Sequence, residues 1–202
     1  VLTDARYTRV NTMLSANWDG MYDLETDILM YTWAVGTFHC DDVIHPHRDP
    51  HAHMYDESDW THVATAYPLD LEDGDYHITV RAMNKIDFGG PMAVEVCHHV
   101  PLTVDTSPPI IYEMTGIDYN EDEYLIFVQV NASDPQTPLT RSEFALGLST
   151  RDTAMLGWND MDNYTDLVYY FHIPDGIPAW IRTRFTNIVD LRQIGNADQP
   201  II

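Results

Sequence analysis

"YTWAVGT", residues 31–37, places a tryptophan among small and β-branched side chains and closes on a glycine-threonine pair. It ends a longer apolar run, "DILMYTWAV". "DGDYHITVRAMN" (73–84) follows downstream, and in it Tyr76, Ile78, Val80 and Ala82 alternate with period two. Successive side chains of a strand point to opposite faces, so those four share one face. Trp33 has the bulk to anchor a core between two sheets, where burying an aromatic contributes about 2–3 kcal/mol. Gly74 permits a tight turn, and Tyr76 is placed to bond back to the preceding loop as a tyrosine corner.

The same pattern extends outward from this stretch. Apolar runs such as "MAVEV", "EYLIFVQV", "FALGL", "LVYYFHI" and "AWIRTRF" alternate with Asp, Asn, Gly and Pro clusters. The 12 prolines and 10 glycines punctuate the chain densely, and no long segment has a helical period. Short strands at this spacing predict an all-β sandwich architecture.

An internal comparison sets the organisation. At an offset of 111 positions, Asp23, Thr26, Ile28, Trp33, Val35 and Gly36 fall on Asp134, Thr137, Leu139, Phe144, Leu146 and Gly147 without a gap. Further on, Gly74, Arg81 and Asn84 fall on Gly176, Arg184 and Asn187, while Trp60 and Trp158 pair less closely. The reading is a tandem repeat of two sandwiches. They span 1–105 and 110–202, with the Pro-rich linker 106–109 inside "VDTSPP" (104–109). Phe144 takes the place of Trp33 as core anchor in the second half.

These residues resemble the fibronectin type III and immunoglobulin-like repeats of large extracellular proteins. The matching pieces are "WDGMYDLETDILMYTWAVGT" (18–37), "LEDGDYHITVRAMN" (71–84) and "VDTSPP". The second half keeps the frame only, and its tyrosine position is shifted or taken by Trp180. The resemblance implies two tandem sandwiches of that type, in a secreted or cell-surface module for adhesion, spacing or assembly. It implies no catalytic residues. Its partners would be copies of itself, neighbouring repeats of the same chain, or glycans.

The chain begins with Val and shows no signal peptide, which reads as a processed chain or a piece of a longer one. "QPII" (199–202) aligns with "PLTV" (101–104), which reads either as a window on a longer array of such domains or as a subunit whose terminal strands pair with a neighbour, since an unpaired final strand is an edge.

Composition narrows the partners. The net charge is −22, from 32 acids against 10 bases, and Lys85 is the single lysine. Such a chain has little with which to neutralise phosphates, so nucleic acid and anionic membranes are poor partners. No apolar run approaches the roughly 18 residues of a membrane span.

Several features carry potential chemistry. "FHCDDVIHPHRDPHAHMYDESDWTH" (38–62) holds two H-x-H pairs, His45 with His47 and His51 with His53. On a strand each pair could chelate Zn or Cu through two imidazoles. Pro46 and Pro50 speak instead for a polar loop with solvated histidines. The acidic stretches "DLEDGD" (70–75), "DYNEDE" (118–123) and "NDMDNYTD" (159–166) could offer oxygens to Ca, though none has the EF-hand spacing and solvated turns are the plainer reading. Cys40 and Cys97 would pair by default in a secreted chain. Free buried thiols, or a metal held by Cys97 and His98, are the alternatives. Asn131 in "NAS" and Asn163 in "NYT" are N-glycan acceptors expected in exposed turns.

No nucleophile motif, zinc-protease motif or phosphate loop is present. The expected function is therefore a non-catalytic extracellular repeat module, part of an array, filament or matrix. A ligand-binding ectodomain using its end loops and a metal-binding protein built on the His-rich loop are the alternatives.

Overall fold

The computed structural model describes residues 5–18, 22, 24, 28–40, 43–44, 63–84, 94–120, 122–161 and 166–201. Among them the chain is all-β and divides into two compact units, Val1–Thr106 and Ser107–Ile202.

In the first unit the strands are β1 (Tyr7–Thr8), β2 (Leu14–Asn17), β3 (Ile28–Gly36), β4 (Val63–Ala66), β5 (Gly74–Asn84), β6 (Val94–Cys97) and β7 (Leu102–Val104). β2 and β4 form one antiparallel pair. The other sheet runs β1-β7-β5-β3, with β6 also paired to β5. Leu14, Ala16 and Ala66 from the small sheet meet Trp33, Val35, Tyr76, Val80 and Val104 from the large one in a single buried cluster. The period-two alternation is what puts one face of each strand into this core.

The second unit holds β8 (Ile110–Asn120), β9 (Leu125–Ser133), β10 (Leu139–Gly147), β11 (Leu156–Asp160), β12 (Asp166–Tyr170), β13 (Trp180–Asn187) and β14 (Arg192–Asn196). A three-stranded sheet, β12-β9-β8, faces a four-stranded one, β11-β10-β13-β14. Ile126, Val128, Val130 and Leu167 from the first pack with Phe144, Leu146, Ile181 and Phe185 from the second. This is the layered, alternating core of a β-sandwich.

The two units repeat one plan down to register. β3 and β10 are nine residues each, with bounds that correspond at the sequence offset. Trp33 pairs with Val80 and Phe144 with Thr183, which are equivalent positions. The irregularity in the ladder recurs as well, between Ile28 and Met30 in one unit and between Leu139 and Arg141 in the other. A bulge bends its strand and fixes twist locally, so its recurrence marks a shared scaffold device.

Gly147 is held by a close approach: a Cβ there would run into the backbone carbonyl of Asp152. Asp152 in turn gathers the β10–β11 connection, accepting from Leu148 N, Ser149 Oγ and Ala154 N.

The tyrosine position of the second unit needs correction. Register sets Ala179, not Trp180, opposite the place of Tyr76. Ala179 is buried and bridges Ile201, as Tyr76 pairs with Leu102. Trp180 follows it by one residue, so alternation turns it to the opposite face. The final segment pairs on one side, through Ala179 N to Ile201 O and Ile201 N to Ala179 O.

Candidate functional site

Trp33, Phe144 and Tyr76 are buried, and the Tyr76 hydroxyl donates to the Glu72 carbonyl at 2.9 Å, four residues upstream. This closes the tyrosine corner, and burial raises the tyrosine's pKa above its ordinary value. Polar residues of the acidic stretches are occupied locally. Asp73 accepts from both the backbone N and the hydroxyl of Thr106, and Asp75 accepts from Thr103. Asn120 Oδ1 accepts from the backbone of Asp122 and Glu123 in the β8–β9 turn, and Asp160 pairs with Arg141 at 2.8 Å. These carboxylates and amides clamp turns and strand ends.

Asn131 is exposed, but it lies on β9 opposite Glu113 rather than in a turn. Its side chain points outward because it alternates with the buried Val128 and Val130 on the same strand. Asn163 lies outside the described residues, as do His45, His47, His51 and His53.

Cys40 and Cys97 are joined in a disulfide, with Cα atoms 5.3 Å apart. The bridge ties the turn after β3 to the end of β6. Both strands flank β5, and Cys97 lies opposite Thr79 in its middle. Four histidines surround it, three of them exposed. His39 precedes Cys40, His98 and His99 follow Cys97, and His77 lies on β5. The imidazoles of His39 and His99 stack with centroids 4.6 Å apart, and His77 stands edge-on to His39 at 6.1 Å. His77 Nδ1 bonds the His98 carbonyl at 3.3 Å. Among the described residues, metal-capable atoms converge at one place, where those of His39, Cys40 and Cys97 lie within 4.8 Å of one another. Sulfurs held in a disulfide are not thiolate ligands, which leaves the imidazoles as donors.

The second unit has its own polar feature, which the sequence pattern did not single out. Glu143 on β10 receives a bidentate fork from Arg184 on β13, at 2.7 and 2.6 Å. Trp158 on β11 lies against Arg184 and Arg182, 4.4 and 5.5 Å from its ring centroid. In the first unit the equivalent Arg81 pairs instead with Glu95 on β6, at 2.6 Å. The arginine's strand position is repeated while its partner moves to the other neighbouring strand. A groove of about 490 Å³, lined by Asp118, Tyr119 and Ile201 among others, occupies the part of the second unit where β1 joins β7 in the first.

No family model matches the chain, and no curated protein matches it. Among solved structures it is similar to the fibronectin(III)-like modules of Clostridium thermocellum CbhA, at 11% identity and a TM-score of 0.43. That match covers 95% of this chain and 86% of the other.

Proposed function

We propose that this chain is a non-catalytic, extracellular structural repeat module, used for spacing, adhesion or assembly in an array, filament or matrix. The observation that carries the reading is the repetition of one β-sandwich plan, with equivalent register, bulge and anchor positions. Duplicated sandwiches of this kind are suited to setting distance and presenting surfaces. The disulfide supports an oxidising compartment. Among the described residues, Asp73, Asp75, Asn120 and Asp160 of the acidic stretches bond to neighbouring turns and strands, as structural side chains would.

Electron microscopy of the native material tests the proposal. Filaments or sheets are expected, with a repeat of about 70–90 Å if each sandwich runs as long as strands of ordinary rise and length. Dispersed particles of one small size, with no partner repeats in the parent chain, would overturn it.

A further inference from the structure

We infer that Asn131 carries an N-linked glycan on the outer face of the β12-β9-β8 sheet, and that the first sugar of this glycan packs against Tyr112. The inference rests on the extracellular reading, because the sugar is transferred in a secretory compartment.

The sequence supplies the reacting atoms. In "NAS" (131–133) the side-chain amide of Asn131 is the acceptor, and Ser133 provides the hydroxyl that the transfer requires two residues on. The donor is an oligosaccharide joined through its anomeric carbon to a lipid diphosphate. Asn131 Nδ2 forms a bond to that carbon, the bond from the carbon to the diphosphate oxygen breaks, and the lipid diphosphate leaves with the electron pair. Nδ2 gives up one proton, and nothing is oxidised or reduced. In the folded sheet β9 holds Asn131 opposite Glu113, so the transfer precedes strand pairing.

The folded sheet accommodates the product. Ile126, Val128 and Val130 of β9 are buried, so alternation turns Asn131 and Ser133 to the outer face, and Asn131 is exposed there. A bulky, water-soluble group on that face meets solvent and displaces no core side chain.

The neighbours of Asn131 suit a sugar ring. The β8–β9 ladder shifts register between Ile111 and Glu113. Ile111 and Met114 pack on the core, so this bulge leaves both Tyr112 and Glu113 on the outer side. Glu113 stands directly across from Asn131, and residues so paired have Cβ atoms about 4.5–5.5 Å apart. The Tyr112 hydroxyl lies 3.2 Å from Ser133 Oγ, which lays the ring beside the acceptor sequence. Tyr112 is nevertheless 57% exposed, and Ile110, opposite Ser133, is 42% exposed. A pyranose presents C–H groups on its faces and polar groups around its rim. Its face can therefore cover the Tyr112 ring while the Glu113 carboxylate accepts from its hydroxyl or acetamido N–H groups.

Peptide mapping of the native protein by mass spectrometry is the test. Trypsin cuts after Arg141, which separates Asn131 from the other acceptor, Asn163. The peptide holding Asn131 is expected to carry a hexosamine-containing mass that a glycan amidase removes, with the Asn131→Asp conversion as its trace. In a secreting host, Asn131→Gln and Ser133→Ala should each abolish the modification, and Ser133→Thr should keep it. Removing the glycan from the folded protein should lower the melting temperature of the second unit. That drop should be about 2–4 °C larger in the parent and in Tyr112→Phe, which keeps the ring, than in Tyr112→Ala. An unmodified Asn131 in the native protein would overturn the glycan, and equal drops in all three would overturn the packing on Tyr112. The same map reports the Cys40–Cys97 bridge. A bare Asn131 beside an intact bridge refutes this inference alone, whereas a bare Asn131 with two free thiols counts against the extracellular reading as well.

Discussion

Asn187 donates from Nδ2 to Asp134 Oδ2 at 2.9 Å, joining residues 53 positions apart. Asp134 Oδ1 meanwhile accepts from Gln136 N and Thr137 N, and Asn187 Oδ1 accepts from Leu191 N. One buried amide thus locks the turn before β10 to the turn after β13. These two residues are also the second-half members of repeat-matched pairs, Asp23 with Asp134 and Asn84 with Asn187. Asn187→Ala leaves the Leu191 amide and the Asp134 carboxylate without this partner. A loss of about 2–3 kcal/mol is expected from urea unfolding. An effect below about 0.5 kcal/mol would show that water replaces the amide freely.

The Glu143–Arg184 pair predicts an asymmetry. The side chain of Glu143 is 3% exposed and that of Arg184 19%. Removing one partner strands the other charge, so Glu143→Ala should cost about 3–5 kcal/mol. Replacing both with apolar residues of similar size, Glu143→Met with Arg184→Met, should recover most of that loss. The double-mutant cycle reads the coupling directly.

The bridge closes a loop spanning 57 positions. In the chain-entropy model its removal by Cys40→Ser with Cys97→Ser costs about 4 kcal/mol. Denaturant unfolding of the variant against the oxidised parent measures this. Identical reducing and non-reducing peptide maps of the parent would show that the bridge does not form.

Asp152 ties stability to pH. The Ser149 hydroxyl, then the Ala154 amide, hold its carboxyl below the ordinary carboxylate range. The folded state therefore favours the ionised form. Its contribution is present above the unfolded pKa and is lost as pH falls through the lowered folded value. Asp152→Asn should reduce stability at neutral pH and flatten its decline in strongly acid solution. Parallel acid-unfolding curves for parent and variant would contradict this.

What could be read from residues alone was the local and the periodic. Trp33, Phe144 and Tyr76 were legible as anchors because burial follows alternation and bulk, both of which are written along one strand. The equivalence of Ile28–Gly36 and Leu139–Gly147 was legible because a strand and its bulge depend on a short run of residues. Reading Asn131 as a turn residue failed because the N-x-S pattern carries no information on backbone pairing. A shifted tyrosine position and a replacement by Trp180 could not be told apart without register, because a one-residue step moves a side chain to the other face.

The tertiary structure alone decided which side chains meet across strands. Arg81 and Arg184 hold equivalent strand positions, yet one finds Glu95 and the other Glu143, because either neighbouring strand can supply the carboxylate. His39, His77 and His99 are scattered along the chain and gather only because β3, β5 and β6 lie side by side. The order of strands in a sheet comes from burying both faces of the sandwich at once. It is a property of the whole packed core, and no single stretch of residues encodes it.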